Sequence, residues 1–231
     1  MNEQLVLGLS LKEALEKEDF FISSSNLDAV TLLDNTDRWA SGVLLLVGPK
    51  GSGKTHLCTV WSKEQKAKHL KLEAVLPEME KGLDHDLVCV EDIDIIEKAE
   101  RQKKSKIEEG IFHLINSIRS RGGKLLISSR KMPSSLSIGL KDLESRLQSF
   151  SNAIIREPDD SLVMALLLKY FNDRQIFIKH SNLDYIAARI NRTYSSIYKF
   201  VNYVDHKSLV LNTKLTRPFI DAALMQTEKR Y

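Results

Sequence analysis

The stretch GPKGSGKT, residues 48–55, constrains the fold of this chain more than any other part of its sequence. It follows the apolar run VLLLV and precedes a run with helical spacing, which is the order strand, glycine-rich turn, helix. Glycines in the turn accept positive φ and let the backbone approach a phosphate, and the following helix directs its free N–H groups at the anion. The sequence therefore predicts a phosphate-binding loop rather than a chance glycine-rich turn.

This loop predicts an ADP or ATP site in which two side chains have distinct roles. Lys54 would reach the β- and γ-phosphates, and the Thr55 hydroxyl would ligate Mg²⁺. The residues predicted to bind the nucleotide are Gly48, Pro49, Gly51, Ser52, Gly53, Lys54, Thr55 and His56.

A second apolar run, LVCVEDIDII, ends in acidic residues. It predicts a buried strand from whose end Glu91 and Asp92 emerge. In a nucleotide site, Glu91 would hold Mg²⁺ through water, and Asp92 would orient an attacking water. Taken alone, two acids that begin a loop are the simpler interpretation, but the phosphate loop upstream favours the functional one. Because aspartate is the shorter acid, we expect weak intrinsic ATP hydrolysis.

Apolar strands alternate with helices up to Pro158. The run IEEGIFHLINSIRSRGG predicts an amphipathic helix that the two glycines end, and KLLISS and NAIIREP predict two more strands. Near-continuous apolar strands separated by helices predict an α/β fold, a parallel sheet covered by helices on both faces. From Asp159 onward the spacing predicts helices alone, so we expect a small all-α domain over residues 159–231.

Four further polar residues are candidates for the nucleotide site. Ser128 and Ser129 end the third strand, where they would sense the γ-phosphate or be ordinary strand-end serines. Arg146 would reach a nucleotide across a subunit interface as an arginine finger, or lie on an exposed helix. Arg192 would close onto phosphates from the helical region, or begin a surface helix.

Composition limits the function classes. The net charge of +3 is too small to indicate nucleic-acid binding, although basic residues outnumber acidic ones after Asp159. Cys58 and Cys89 lie in apolar runs, which predicts buried thiols of a reducing compartment rather than a disulfide or a metal pair. The first residues do not combine a basic region with an apolar stretch, and the longest clean apolar run is VLLLV. We therefore expect no signal peptide and a cytoplasmic protein without a membrane partner.

The chain begins with a short apolar segment, QLVLGLS, over residues 4–10. As a strand it is short and carries a central glycine, and later strands already account for the sheet. As an extended ligand peptide it exposes a glutamine and alternate leucines to pockets on a partner. We therefore expect residues 1–10 to be a tail that binds another protein.

The ordered set of motifs resembles the AAA+ module of the DnaA family, and more closely its short Hda-type homologues. The resemblance covers nearly the whole chain and rests on EDFFISSSN, GKTHL, VEDID, EEGIFHLINSIRSRGGKLLISS, LKDLESRL, the NR of INRTYSS, and KLTRPFIDAAL. It implies a AAA+ nucleotide-binding domain over residues 11–158 and a helical lid over residues 159–231.

The resemblance also implies a function. Hda-type proteins bind ADP or ATP, dock on the sliding clamp of DNA polymerase and promote hydrolysis of the ATP held by DnaA. It implies that Arg146 is the arginine finger and Arg192 the lid arginine. The tail residues that it assigns to the clamp contact are Gln4, Leu5, Leu7 and Leu9.

Two residues depart from the family pattern. Gly8 stands where the clamp peptide usually has proline, and Arg130 stands where DnaA has aspartate after the sensor strand. The sequence ends at Tyr231 without the DNA-binding domain of DnaA, so we expect direct nucleic-acid binding to be weak or absent.

These observations leave more than one function open. The preferred hypothesis is a nucleotide-bound regulator that activates the ATPase of a partner and has weak hydrolysis of its own. A second copy of the chain, in a homodimer, is a further candidate partner. The alternatives are a DNA-binding initiator or loader paralogue, supported by the basic lid, and a stand-alone P-loop ATPase or kinase. An Arg146 that acts on the nucleotide of a neighbouring subunit argues against a stand-alone enzyme.

Overall fold

The structure, a computed structural model, describes residues 20–211 and 215–228. The predicted tail residues Gln4, Leu5, Leu7 and Leu9 therefore lie outside the described residues, as does Gly8.

A five-stranded, all-parallel sheet forms the centre of the described chain, in the order β2-β3-β4-β1-β5. The strands are β1 (Val43–Val47), β2 (Lys68–Lys71), β3 (Leu87–Glu91), β4 (Lys124–Ser129) and β5 (Ser151–Ile154). Because the strands are parallel, the segments that follow β1, β3 and β4 meet at one edge of the sheet. The predicted α/β fold is confirmed.

Helices α1 to α5 cover the two faces of this sheet. The helices of the described ranges are α1 (Leu27–Asp34), α2 (Lys54–Glu64), α3 (Val75–Glu80), α4 (Arg101–Ser120), α5 (Lys141–Ser149), α6 (Asp160–Asp173), α7 (His180–Ala187), α8 (Tyr194–Leu211) and α9 (Arg217–Glu228). As predicted, α4 ends at the glycine pair: Gly122 has φ +70°, and the N–H of Gly123 donates to the carbonyl of Ile118 at 2.9 Å.

Strand β1 shows why both faces are covered. All five of its side chains are buried, and they alternate between two hydrophobic clusters. Val43, Leu45 and Val47 pack with α4 and α5, whereas Leu44 and Leu46 pack with α1 and α2. Because each buried side chain of this size stabilises the fold by roughly 1.5–3 kcal/mol, β1 anchors the loop that follows it.

Two elements differ from the prediction. Strand β2 was not predicted, because it is a polar edge strand in which Leu70 is the buried residue. Helix α4 begins at Arg101 instead of near Ile107, since its first turns are charged and exposed and carry no apolar period. Burial of the free thiols of Cys58 and Cys89 agrees with the prediction.

Helices α6 to α9 pack around their own hydrophobic cluster, which includes Phe171 and Phe200 with their ring centroids 6.5 Å apart. Asp159 caps α6 by accepting a hydrogen bond from the N–H of Leu162 at 2.9 Å, and it also accepts one from the Ser24 hydroxyl at 2.7 Å. The start of α6 is thereby tied to the segment before α1. None of the helices in the described ranges has the length and apolar character to cross a bilayer.

Candidate nucleotide-binding site

The predicted loop turns sharply between β1 and α2. Gly51 and Gly53 have φ of +86° and +85°, in the left-handed region that only glycine adopts readily. At the base of the loop, the N–H of Gly48 donates to the carbonyl of Ser129 at 3.1 Å, which joins the ends of β1 and β4.

The N-terminus of α2 is open for an anion. Its N-cap residue is Gly53, and no side chain caps the first N–H groups of the helix. In the same loop, the Ser52 hydroxyl is buried and, within the described part of the chain, has no hydrogen-bond partner. Unsatisfied donors at a helix N-terminus attract phosphate, so the loop fits the phosphate groups of a nucleotide.

Lys54 lies folded against the loop. Its residue is 6% exposed, and its Nζ donates to the carbonyl oxygens of Gly48 at 2.8 Å and Pro49 at 2.9 Å. Burial lowers the pKa of the Lys54 amine, and the positive charge of Arg130 adds to that effect. A phosphate bound in the loop would offer this amine a charged acceptor in place of two neutral carbonyls.

The predicted metal ligands lie in contact with each other. The Thr55 hydroxyl donates to Glu91 Oε2 at 2.7 Å, and Glu91 Oε1 lies 2.5 Å from Nε2 of His69 on β2. Hydrogen bonds to Cys89 and to Glu91 raise the pKa of His69 to about 10, so the ring is charged at neutral pH. The hydrogen bond from His69 in turn lowers the pKa of the Glu91 carboxyl.

This pair fits part of a magnesium shell. Hydroxyl and carboxylate oxygens are ligands that Mg²⁺ prefers, and Mg²⁺ commonly completes its shell with water and substrate phosphates. Residues 20–211 and 215–228 contain no group of three or more His, Cys, Asp or Glu side chains placed to hold a metal. Thr55 and Glu91 could therefore hold Mg²⁺ only together with a bound phosphate or water.

Asp92 follows β3 in a left-handed conformation, with φ 54° and ψ 52°. Its N–H donates to the buried Ser128 hydroxyl at 2.9 Å, and its Oδ2 lies 3.5 Å from Arg130 Nη2. Ser129 instead closes its own turn by donating to the carbonyl of Lys131 at 2.7 Å. The two serines thus shape the end of β4, and Ser128 fixes the position of Asp92.

The two predicted arginines contact groups outside the loop. Arg146, on α5, places its guanidinium carbon 4.8 Å from the centre of the Phe112 ring on α4. Arg192 pairs with Asp160 at the start of α6 at 2.8 Å, and both side chains are exposed. Neither guanidinium contacts a loop residue within the described chain.

Three residues near the loop were not predicted. His69 lies on the missed strand β2, so no signal pointed to it. The Phe20 ring lies 5.5 Å from the His56 ring and covers Gly53, where an added Cβ would come within 2.6 Å of it.

The third residue that was not predicted is Tyr194, at the start of α8. It packs against the loop at Gly51. An added Cβ on Gly51 would lie 3.3 Å from the Tyr194 Cβ. The Tyr194 hydroxyl donates to the carbonyl of Arg156 at 3.2 Å, and burial raises its pKa to about 12. The helical part of the chain therefore reaches the loop through this tyrosine, two residues beyond the predicted Arg192.

Comparison with known proteins finds relatives by sequence and by structure. No protein-family model matches the chain. A protein of Haemophilus influenzae described as uncharacterized is 28% identical over 237 residues, which cover 97% of this chain and 99% of that protein.

The structural likenesses are to AAA+ proteins. Domain III of the replication initiation protein DnaA from Thermotoga maritima matches with a TM-score of 0.73 and 17% identity, covering 96% of this chain and 100% of that one. AMPPCP-bound DnaA from Aquifex aeolicus matches with a TM-score of 0.62 and 17% identity, covering 92% and 68% of the two chains. The ADP complex of the FIGL-1 AAA domain matches with a TM-score of 0.65 and 11% identity, covering 90% and 81%. The chain therefore has a DnaA-like AAA+ fold, with a parallel sheet flanked by helices and a helical C-terminal part.

Proposed function

We propose that this protein is a nucleotide-bound AAA+ regulator of DNA replication initiation. The nucleotide is ADP or ATP, bound by the loop between β1 and α2. The uncapped N-terminus of α2, the positive φ of Gly51 and Gly53 and the buried amine of Lys54 support this part of the proposal. Thr55 and Glu91 would hold Mg²⁺ together with the phosphates, and Mg²⁺ would offset phosphate charge.

The proposed regulatory action is to promote hydrolysis of ATP held by DnaA. The observation that carries it is a DnaA-like AAA+ fold in which the Arg146 guanidinium contacts no residue of its own phosphate loop. A guanidinium that packs on the Phe112 face is held in one orientation, which suits insertion into the nucleotide site of a neighbouring subunit. DnaA is the proposed neighbour, because AAA+ modules of like shape are suited to assemble side by side.

The proposed second partner is the DNA polymerase sliding clamp. Its contact would be the tail segment QLVLGL through the glutamine and leucines named above. Docking on a clamp would bring the Arg146 surface to DnaA near newly replicated DNA.

The decisive experiment measures ATP hydrolysis by DnaA with and without this protein and with DNA-loaded clamp. We expect ATP hydrolysis by DnaA to accelerate only when this protein and the DNA-loaded clamp are both present. Arg146→Ala should keep ADP binding and clamp binding but lose about 10³-fold of the stimulation, the lower range for an arginine finger. Lys141→Ala, which removes an exposed basic residue from the same helix, is the matched control.

The tail is tested separately by clamp capture. Leu7→Ala combined with Leu9→Ala should abolish clamp binding and leave ADP binding unchanged. Gly8→Pro should tighten clamp binding, because proline reduces the entropy that the free peptide loses.

Other results would favour another function. If Arg146→Ala stimulates DnaA normally, the finger assignment is wrong. ATP turnover of ~1–100 s⁻¹ without a partner would favour a stand-alone enzyme. DNA affinity that falls steeply with salt would favour a DNA-binding initiator or loader.

A further inference from the structure

Arg130 lies between two acids of the segment that follows β3. Its Nη2 is 3.5 Å from Asp92 Oδ2, and its Nε is 3.9 Å from Asp94 Oδ2. The backbone N–H of Arg130 also donates to Asp94 Oδ1 at 2.9 Å. Because the backbone is anchored at Asp94, the guanidinium is confined to the neighbourhood of Asp92.

Asp92 is held from β4 at a second point. Its N–H donates to the Ser128 hydroxyl, which is fully buried and cannot move far. Asp92 itself is in the left-handed region that non-glycine residues rarely adopt, so its surroundings determine its conformation. The end of β4 thus fixes the Asp92 backbone through Ser128 and its carboxylate through Arg130.

The charge of Arg130 acts within the nucleotide site. Burial is the main cause of the lowered pKa of Lys54; the negative charge of Asp92 opposes this shift, and the positive charge of Arg130 adds to it. These three groups therefore interact electrostatically, and the Arg130 guanidinium faces the same region as the phosphate-binding amine. The Arg130 side chain is 37% exposed.

We infer that Arg130 restrains Asp92 and thereby suppresses ATP hydrolysis by this chain, an inference that rests on the proposed nucleotide site. In hydrolysis a water oxygen bonds to the γ-phosphorus, the bond from that phosphorus to the β–γ bridging oxygen breaks, and a proton is released to solvent. Asp92 must accept a hydrogen bond from that water to orient it. An Asp92 oxygen that faces a guanidinium is a poorer acceptor, because the cation draws on the same lone pairs.

Arg130 is in this account a positioning residue that acts through Asp92. The test measures kcat and KM for ATP hydrolysis by the full chain, together with the Kd for ADP. Its variants are Arg130→Ala and Arg130→Gln. The matched control is Lys131→Ala, which removes the neighbouring cation that pairs with Glu97 instead.

We expect kcat to rise by at least ~10-fold in both Arg130 variants, a part of the roughly 10²–10⁴-fold that a positioned base contributes. KM and the Kd for ADP should change by less than roughly three-fold, since ground-state binding is kept. The control should show no gain. Adding Asp92→Asn to Arg130→Ala should remove the gain, an outcome that a merely structural role of Arg130 would not produce.

Two results would overturn the inference. A kcat that stays level or falls in both Arg130 variants would mean that Arg130 does not restrain hydrolysis and instead assists at the phosphates or has no effect. A gain that survives Asp92→Asn would mean that it does not act through Asp92. If the unaltered protein binds no ADP, the proposed function fails as well. If it binds ADP normally but the Arg130 variants show no rise in kcat, this inference alone fails.

Discussion

His69 and Glu91 form an ion pair in which Nε2 and Oε1 lie 2.5 Å apart, between the neighbouring strands β2 and β3. The same carboxylate accepts the Thr55 hydroxyl through its other oxygen. A charged imidazole therefore faces the acid proposed to help hold Mg²⁺, so His69 influences both stability and the metal site.

The pair predicts a pH dependence of stability. The pKa of His69 is raised from 6.5 to about 10, so folding favours the protonated ring. Its contribution is fully present below pH 6.5 and is lost as the pH rises through about 10. Urea unfolding of the wild type and His69→Gln should differ most below pH 6.5 and converge near pH 10. His180→Gln, at an exposed ion pair with Asp184, is the control for removing a histidine elsewhere in the chain.

Lys54→Ala should weaken nucleotide binding. A hydrogen bond to a charged group contributes about 1.5–3 kcal/mol, so the Kd for ADP should rise by about 10- to 100-fold. Fluorescence titration with labelled ADP measures this change. Lys50→Ala removes an exposed lysine of the same loop and should leave the Kd within a few-fold. Equal losses in both variants would contradict a specific role for Lys54.

Glu108 should stabilise the start of the helix that carries Arg146. Its buried carboxylate accepts the N–H groups of Gly139 at 2.9 Å and Leu140 at 2.8 Å, immediately before α5. Glu108→Ala leaves both donors unpaired, which should cost about 2–4 kcal/mol of unfolding free energy. Denaturant titration measures this cost, with the exposed Glu109→Ala as control. If Glu108→Ala lost less unfolding free energy than Glu109→Ala, water would be able to replace the carboxylate as acceptor for the two N–H groups.

Asp159 should stabilise the junction between α6 and the segment before α1. Although burial opposes it, hydrogen bonds from Ser161, Ser24 and the N–H of Leu162 hold the Asp159 pKa well below its ordinary value. Asp159→Ala should cost about 1–2 kcal/mol at neutral pH, as for other N-caps.

The sign of the shift sets the pH range of this effect. The pKa of Asp159 is lower in the folded state than in the unfolded state, where it is 3.8. Its contribution to stability is therefore present above pH 3.8 and is lost as the pH falls through the pKa of the folded state. The difference in unfolding free energy from Asp159→Asn should therefore shrink in acid. Asp173→Asn, at the other end of α6, should give no comparable loss.

The sequence by itself determined the phosphate loop, the parallel α/β sheet and the end of α4. Each depends on neighbouring residues: glycines that accept positive φ, an apolar run long enough for a buried strand, and an apolar helical period. Such local preferences act before any tertiary contact forms, so they can be read along the chain.

Only the tertiary structure decided which side chains meet at the site. His69 and Glu91 are 22 residues apart in sequence, Glu108 and Gly139 are 31 apart, and Arg130 lies 38 from Asp92. Strand order brings the first and last of these pairs together, because β2 lies beside β3 and β3 lies beside β4. The Glu108 pair forms where α4 packs beside the segment that precedes α5. Pairing across strands is a property of the assembled sheet and leaves no periodic pattern in either segment, which is why it depends on the fold.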